Sequence, residues 1–338
     1  MRAPAFWQAE GHPLGLLLAP LGWLYGRITL TRVAKPGLRV SVPVLAIGNF
    51  TAGGAGKTPV ARAMATALAA RGEAPFILSR GYGGSLEGPH RVDPSRDDAA
   101  TVGDEPLMLA ATCPVIVSRD RRAGAMLAIE QGASLLVLDD ALHNPHLAKD
   151  YTLAVVDGGA GFGNGFCLPA GPLRAPVRPM LARTDAVLLI GADRLNVAAT
   201  LQTTPLFRTV MAPESAIADS LRGKRVLAFC GIGRPEKFAE TLREFGADIA
   251  GLRAFADHHA FTESEAEALL AEARSLGATL VTTEKDAMRL AGGSAREKLR
   301  KEAIVLPVSV ALPDDLLAAI YRAVDSSRSR VSTASGVE

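Results

Sequence analysis

Cysteine is scarce, with Cys113, Cys167 and Cys230 the only three in 338 residues and far apart in the chain. Such spacing makes neither a disulfide framework nor a zinc-ligand pattern. The burial preference of free cysteine reads each as core packing, in keeping with a reducing compartment. Excess charge is also nearly absent. A formal net charge of +2 gives no general argument for nucleic-acid binding, and no nucleic-acid partner is expected. The apolar run at residues 14–24 falls short of the roughly 20 residues a helix needs to cross a bilayer. It resembles the apolar part of a signal peptide, but no small-residue cleavage site follows it. Internal repeats are lacking. From Ser326 the chain is polar and Ser-rich, so residues 326–338 are expected to form a disordered tail.

An apolar fraction of 48% is enough for a sizeable core. Short apolar runs at Val42–Ile47, Pro75–Leu78, Val115–Val117, Leu135–Leu138, Leu153–Val156 and Ala186–Ile190 read as buried strands. A second set follows at Arg225–Cys230, Ile249–Leu252, Thr279–Thr282 and Ile304–Val308. Helical patterns lie between them, among them Pro59–Arg71, Arg121–Gln131, Glu236–Phe245 and Glu263–Leu276. This alternation predicts an α/β fold with a mostly parallel sheet under flanking helices. Turn-forming residues near 200–224 divide it into a larger domain over 28–205 and a smaller α/β lobe over 206–325. Residues 1–27 precede both.

One segment carries chemistry by itself. Gly48-Asn49-Phe50-Thr51-Ala52-Gly53-Gly54-Ala55-Gly56-Lys57-Thr58-Pro59 follows an apolar strand and opens a helix, the context of a phosphate-binding loop. Its glycines let backbone N–H groups turn inward, and the helix N-terminus favours an anion. Residues Thr51 to Thr58 are therefore the predicted nucleotide cradle. Lys57 reaches the β- and γ-phosphates of ATP, and Thr58 offers its hydroxyl to Mg²⁺. Pro59 suits the first helical turn. Thr51 stands where the usual pattern has glycine. Downstream, Leu135–Leu138 runs into Asp139 and Asp140, the place of a Mg²⁺-binding carboxylate beside such a loop. Three polar segments border other predicted strands, Leu78–Gly84, Val102–Pro106 and Ser118–Arg122, where open α/β sheets bind ligands. Their arginines suit phosphate recognition.

Taken in order, these segments resemble the tetraacyldisaccharide 4′-kinase family of lipid A biosynthesis. The resemblance rests also on Gly161–Gly165, Leu168–Arg174, Phe255–His259 and Thr282–Asp286, and covers roughly residues 5–310. It implies a P-loop kinase that moves the ATP γ-phosphoryl group to the 4′-hydroxyl of a tetraacyldisaccharide 1-phosphate, giving lipid IVA. It also implies a peripheral enzyme on the cytoplasmic face of the Gram-negative inner membrane, with no obligatory protein partner. It makes Asp104 of Val102-Gly103-Asp104-Glu105-Pro106 the catalytic base and His258 its partner, with His259 the neighbouring choice. Glu105 becomes a helper of Mg²⁺ or of the base. Asp139 and Asp140 serve the metal, and Arg80, Arg119 and Arg174 face substrate phosphate or the developing γ-phosphoryl charge. Thr51 is normal for that family. Two departures remain: Ala141-Leu142-His143-Asn144 stands where a Gly-aromatic-Gln-His run is common, and Ala175 stands where Glu is common.

A lipid acceptor requires contact with a membrane. Phe6, Trp7, Leu14, Leu16, Leu17, Leu18, Leu21, Trp23, Leu24 and Tyr25 form an apolar stretch followed by Arg27, Arg32, Lys35 and Arg39. That order suits a helix lying in the interface of an anionic leaflet. The alternative reading is a membrane-associated P-loop switch ATPase. Such proteins carry an extra lysine near the start of the loop, where this chain has Thr51 and Ala52.

Overall fold

The computed structural model describes residues 4–335 except 202 and 214. The apolar runs pair into one eight-stranded sheet: β1 Val44–Gly48, β2 Pro75–Ser79, β3 His90–Arg91, β4 Val115–Val117, β5 Leu135–Leu138, β6 Tyr151–Asp157, β7 Ala186–Ile190 and β8 Leu206–Thr209. Their order is β3-β4-β2-β5-β1-β6-β7-β8, parallel throughout except for β3. Both faces are covered, so alternate residues feed two cores. Leu45, Ile47, Ile77 and Val137 pack with Val60, Met64 and Leu68 of the helix Lys57–Ala70. Val44, Ala46, Leu78 and Leu136 pack with Ala125 and Ala128 on the other side. This two-sided burial explains why the strands read as unbroken apolar runs.

A short ladder joins β9 Met211–Pro213 to β14 Val308–Val310. The smaller sheet contains β10 Arg225–Cys230, β11 Asp248–Ala254, β12 Thr279–Thr283 and β13 Ile304–Leu306, all parallel, in the order β11-β10-β12-β13. The single strand expected over Ile304–Val308 is thus two, in two different sheets. Pro307 separates them, since it has no N–H for a ladder. The boundary drawn at residue 205 also needs moving, because β8 begins at Leu206 and completes the large sheet beside β7.

The tail expected over 326–338 is overturned in its described part. A helix runs from Asp314 to Ser335, while 336–338 lie outside the described residues. Leu316, Ile320 and Val324, spaced one helical turn apart, enter the core of the large sheet. Beyond them Ser327 is buried, and Arg328 donates to Glu73 at 2.7 Å. Tertiary packing therefore holds in helix a segment whose composition argues for none.

At the other end a helix spans Pro13–Val33, longer than the stretch to residue 27 assigned from sequence. Its 21 residues are enough, by length and composition alone, to cross a membrane. Large residues face outward: Leu14, Leu16, Leu17, Leu21, Trp23, Leu24, Tyr25 and Ile28 are exposed, while Gly15, Gly22 and Gly26 are buried. At Gly22 an added Cβ would lie 2.6 Å from the Cys167 carbonyl oxygen. Only a residue without a side chain lets this helix sit so close to the Asn164–Ala170 segment. Trp7 Nε1 donates to the Pro169 carbonyl at 3.1 Å and fastens the same segment.

Candidate active site

The loops after β1 and β5 lie side by side because those strands are neighbours. The glycine loop is held by side-chain and backbone bonds together. Buried Asn49 donates through Nδ2 to the carbonyls of Thr51 at 2.8 Å and Gly53 at 3.2 Å, and its Oδ1 accepts from Lys57 Nζ at 3.1 Å. Across the loop, Ala52 N–H donates to the Pro172 carbonyl at 2.7 Å and Arg174 N–H to the Phe50 carbonyl at 2.9 Å. Gly56 caps the helix Lys57–Ala70 with φ 84°. A Cβ there would come within 2.7 Å of Met211 Cε and 2.8 Å of Ile190 Cδ1. The left-handed conformation demands glycine at that point, and the flexible ends of Met211 and Ile190 would have to shift to admit a side chain.

Lys57 Nζ also lies 3.7 Å from Asp140 Oδ1, and Arg174 Nη1 donates to Asp140 Oδ2 at 3.1 Å. Burial pushes the Asp140 carboxyl up, but Lys57 and Arg174 outweigh that and hold it below the usual range. Asp139 is the opposite case. It is 2% exposed, its Oδ1 has no hydrogen-bond partner among the described groups, and burial, Glu105 and Asp140 together raise its pKa. Arg121 is buried too, donating from Nη2 to the Asp139 carbonyl at 3.0 Å while its Nη1 lacks a partner. His143, in the departing Ala141–Asn144 turn, is held by burial and by Arg174 at about 4.

Opposite stands a second group. The helix Asp104–Ala110 begins at Asp104, a position where a helix N-terminus favours a carboxylate. Asp104 is 4% exposed, and His258 Nδ1 lies 3.3 Å from its Oδ2. Burial would raise the Asp104 carboxyl, but the His258 bond and the charges of Arg289 and Lys285 hold it well below the usual carboxylate range. His258, bonded to Asp104, is shifted upward in turn. His259 points elsewhere, its Nε2 lying 2.9 Å from Glu265 Oε2. Glu105 is ion-paired with Lys285.

The structure thus gathers Lys57, Thr58, Asp139, Asp140 and Arg174 at the glycine-loop end and Asp104, Glu105 and His258 at the other. The field of Glu105 on Asp139 links the two. Arg80 is exposed, near enough to Arg121 for their charges to interact. Arg119 pairs with Glu87 at 2.7 Å on the surface, outside both groups. Asn49 and Arg289 escaped the sequence reading. Asn49 lay inside the quoted loop, and Arg289 falls one helical turn beyond Asp286, so periodicity was the signal available for it.

The arrangement joins an anion cradle to a buried ionised carboxylate with a histidine partner, the parts a phosphoryl transfer to a hydroxyl requires. The model for the tetraacyldisaccharide-1-P 4′-kinase family, LpxK, matches residues 14–325. This chain belongs to that family. A tetraacyldisaccharide 4′-kinase of Methylobacterium sp. strain 4-46 is 51% identical over 329 residues, 96% of each chain. One of Nitrobacter winogradskyi is 48% identical over 319 residues, 93% of this chain and 95% of the relative. Among solved structures, LpxK from Aquifex aeolicus in complex with ATP aligns with a TM-score of 0.73 and 26% identity, over 92% of this chain and 99% of that one. The large parallel sheet with its glycine loop is therefore the fold of this kinase family.

Proposed function

We propose that this chain transfers the γ-phosphoryl group of Mg-ATP to the 4′-hydroxyl of a tetraacyldisaccharide 1-phosphate at the cytoplasmic face of the inner membrane. The observation that carries the reading is the buried Asp104 carboxylate, with His258 at 3.3 Å, in a chain whose glycine loop ends in Lys57 and Thr58. The backbone donors of Thr51–Thr58 and the Lys57 ammonium bind the phosphates. Arg174, beside Asp140, meets the charge that develops on the transferred group. Asp104 orients the sugar hydroxyl and accepts its proton as the new P–O bond forms. His258 fixes the carboxylate, and its bond together with the charges of Arg289 and Lys285 keeps Asp104 ionised.

The donors fit a magnesium ion. A fully buried carboxylate with an unpartnered oxygen and a raised pKa is one that a cation would stabilise. No cluster of three or more acidic, His or Cys ligands occurs among the described residues. Magnesium suits such a site, since it is held by one or two carboxylates together with water and substrate phosphates. Thr58, Asp139 and Asp140 would hold it, with Glu105 close by. When bound it neutralises charge on the phosphate oxygens.

The outward leucines and Trp23 of the helix Pro13–Val33, with Arg27 and Arg32 at its end, suit a lipid surface that also holds the acceptor. Incubation with γ-labelled ATP and the tetraacyldisaccharide 1-phosphate tests the whole reading. Label on the 4′ oxygen supports it. Label released only as inorganic phosphate would overturn it and favour a switch ATPase.

A further inference from the structure

The Thr282–Asp286 motif has no part in the mechanism above, yet it faces the site. It turns β12 into the helix Glu284–Met288, with Thr283 Oγ1 accepting from Asp286 N–H at 3.2 Å. From this turn three charged side chains leave the smaller lobe and land on the larger one. Glu284 accepts from Arg62 Nη1 at 2.8 Å and Nη2 at 3.0 Å, on the helix that follows the glycine loop. Lys285 pairs with Glu105, and Arg289 pairs with Asp104. Arg289 is itself fixed within its own lobe, donating from Nη1 to Asp286 Oδ1 at 2.9 Å and to the Gly231 carbonyl at 3.0 Å. Asp286 accepts from Gly231 N–H at 3.0 Å.

Burial sharpens the point. The side chains of Arg289, Asp104 and Asp286 are 7%, 4% and 0% exposed. A guanidinium between two buried carboxylates fixes their relative geometry, whereas as a plain source of stability a buried ion pair gains little over packed apolar groups. Its Nη2 lies 3.3 Å from His258 Nδ1, so Arg289 and His258 grip the same Asp104 oxygen from the smaller lobe. Among the described residues, the side chains that reach Asp104 Oδ2, those of Arg289 and His258, both come from the smaller lobe.

We propose that Arg289, assisted by Lys285, is a positioning residue for phosphoryl transfer. It holds Asp104 in place, and Lys285 does the same for Glu105, so that the base is aligned only while the two lobes are together. The Glu284–Arg62 pair of the same turn ties the lobes without touching Asp104 or Glu105, and serves as an internal control. The proposal rests on the reading of Asp104 as the base.

The test compares Arg289→Gln, Arg289→Lys, Lys285→Met and Glu284→Gln in the full-length protein, each with wild type in the same γ-labelled ATP assay. Arg289→Gln is expected to lower kcat by about 100-fold, the scale of a misaligned acid–base group, while KM for ATP stays within about threefold. Arg289→Lys keeps the charge but not the fork that reaches Asp104, Asp286 and the Gly231 carbonyl together, so it is expected to recover only part of that loss. Glu284→Gln should cost less than about fivefold in kcat, because glutamine keeps an oxygen that can accept from Arg62 and the pair does not bond Asp104 or Glu105. Equal losses in the Arg289 and Glu284 variants would mean a lobe tether only, and would overturn the proposal. So would an unchanged kcat in Arg289→Gln. If Arg289→Gln does not fold, Lys285→Met decides: a kcat loss with ATP KM preserved supports the proposal, and wild-type kcat contradicts it. An inactive wild type would instead sink the kinase reading, so the two failures are distinct.

Discussion

The two ends of the site are built on different principles. The glycine-loop end lies in the larger lobe and is held by backbone bonds together with one clamping side chain: the Asn49 amide on Thr51 and Gly53, the bonds to Pro172 and from Arg174, and the left-handed Gly56 cap. The base end is an assembly of side chains from both lobes, with Asp104 and Glu105 from one and His258, Lys285 and Arg289 from the other. Backbone cradles are prepaid by folding. Ion-pair assemblies exist only when both halves are present. The account therefore holds that nucleotide binding is local and robust, whereas alignment of the base is cooperative.

Substitutions test that contrast. Among substitutions at the glycine loop the largest effect belongs to Lys57→Ala, which removes the loop cation proposed to reach the phosphates; kcat/KM should fall by about 10³-fold, read in the transfer assay. Next is Gly56→Ala. At φ 84°, with Met211 and Ile190 under 3 Å from the added Cβ, it should cost about 1–3 kcal/mol of stability by urea unfolding and weaken ATP binding. A Gly56→Ala protein that unfolds like wild type would break the claim that the loop is conformationally fixed. Leu17→Glu with Trp23→Glu changes only outward-facing positions. It should lower sedimentation with anionic vesicles by about tenfold and leave turnover on detergent-dispersed substrate intact; unchanged sedimentation would refute a lipid-facing role for that helix.

The smallest effect is one of pH. His143 is held at about 4, below the ordinary 6.5, so the unfolded chain takes up that proton first. Its neutral, half-buried form leaves stability intact above pH 6.5 and loses it as pH falls toward 4. His143→Asn should remove that loss, on the order of 1–2 kcal/mol at pH 5, measured as a flatter dependence of unfolding free energy on pH.

The same contrast governs what could be read from the residues. The strands were legible because two-sided burial writes apolar runs into the chain, and the glycine loop because its backbone geometry demands particular residues at fixed spacing. The break at Pro307 was visible as a residue but not as a change of sheet, since β14 finds its partner β9 almost a hundred positions away. The helix that carries Ser327 and Arg328 was hidden, because its support comes from Glu73 and the distant core and not from its own composition. Arg289 was hidden for a like reason. Its partners Asp104 and Gly231 are remote in sequence, and its one local sign, a place one helical turn beyond Asp286, does not point to them.

Asp104→Asn puts the contrast to its most direct trial, with ATP affinity by calorimetry and 4′-phosphorylation measured on the same preparation. The account predicts ATP binding within about threefold of wild type and transfer reduced by about 10³-fold or more. Transfer near the wild-type rate, or ATP binding lost along with it, would contradict the assignment of Asp104 as a base that acts apart from the nucleotide cradle.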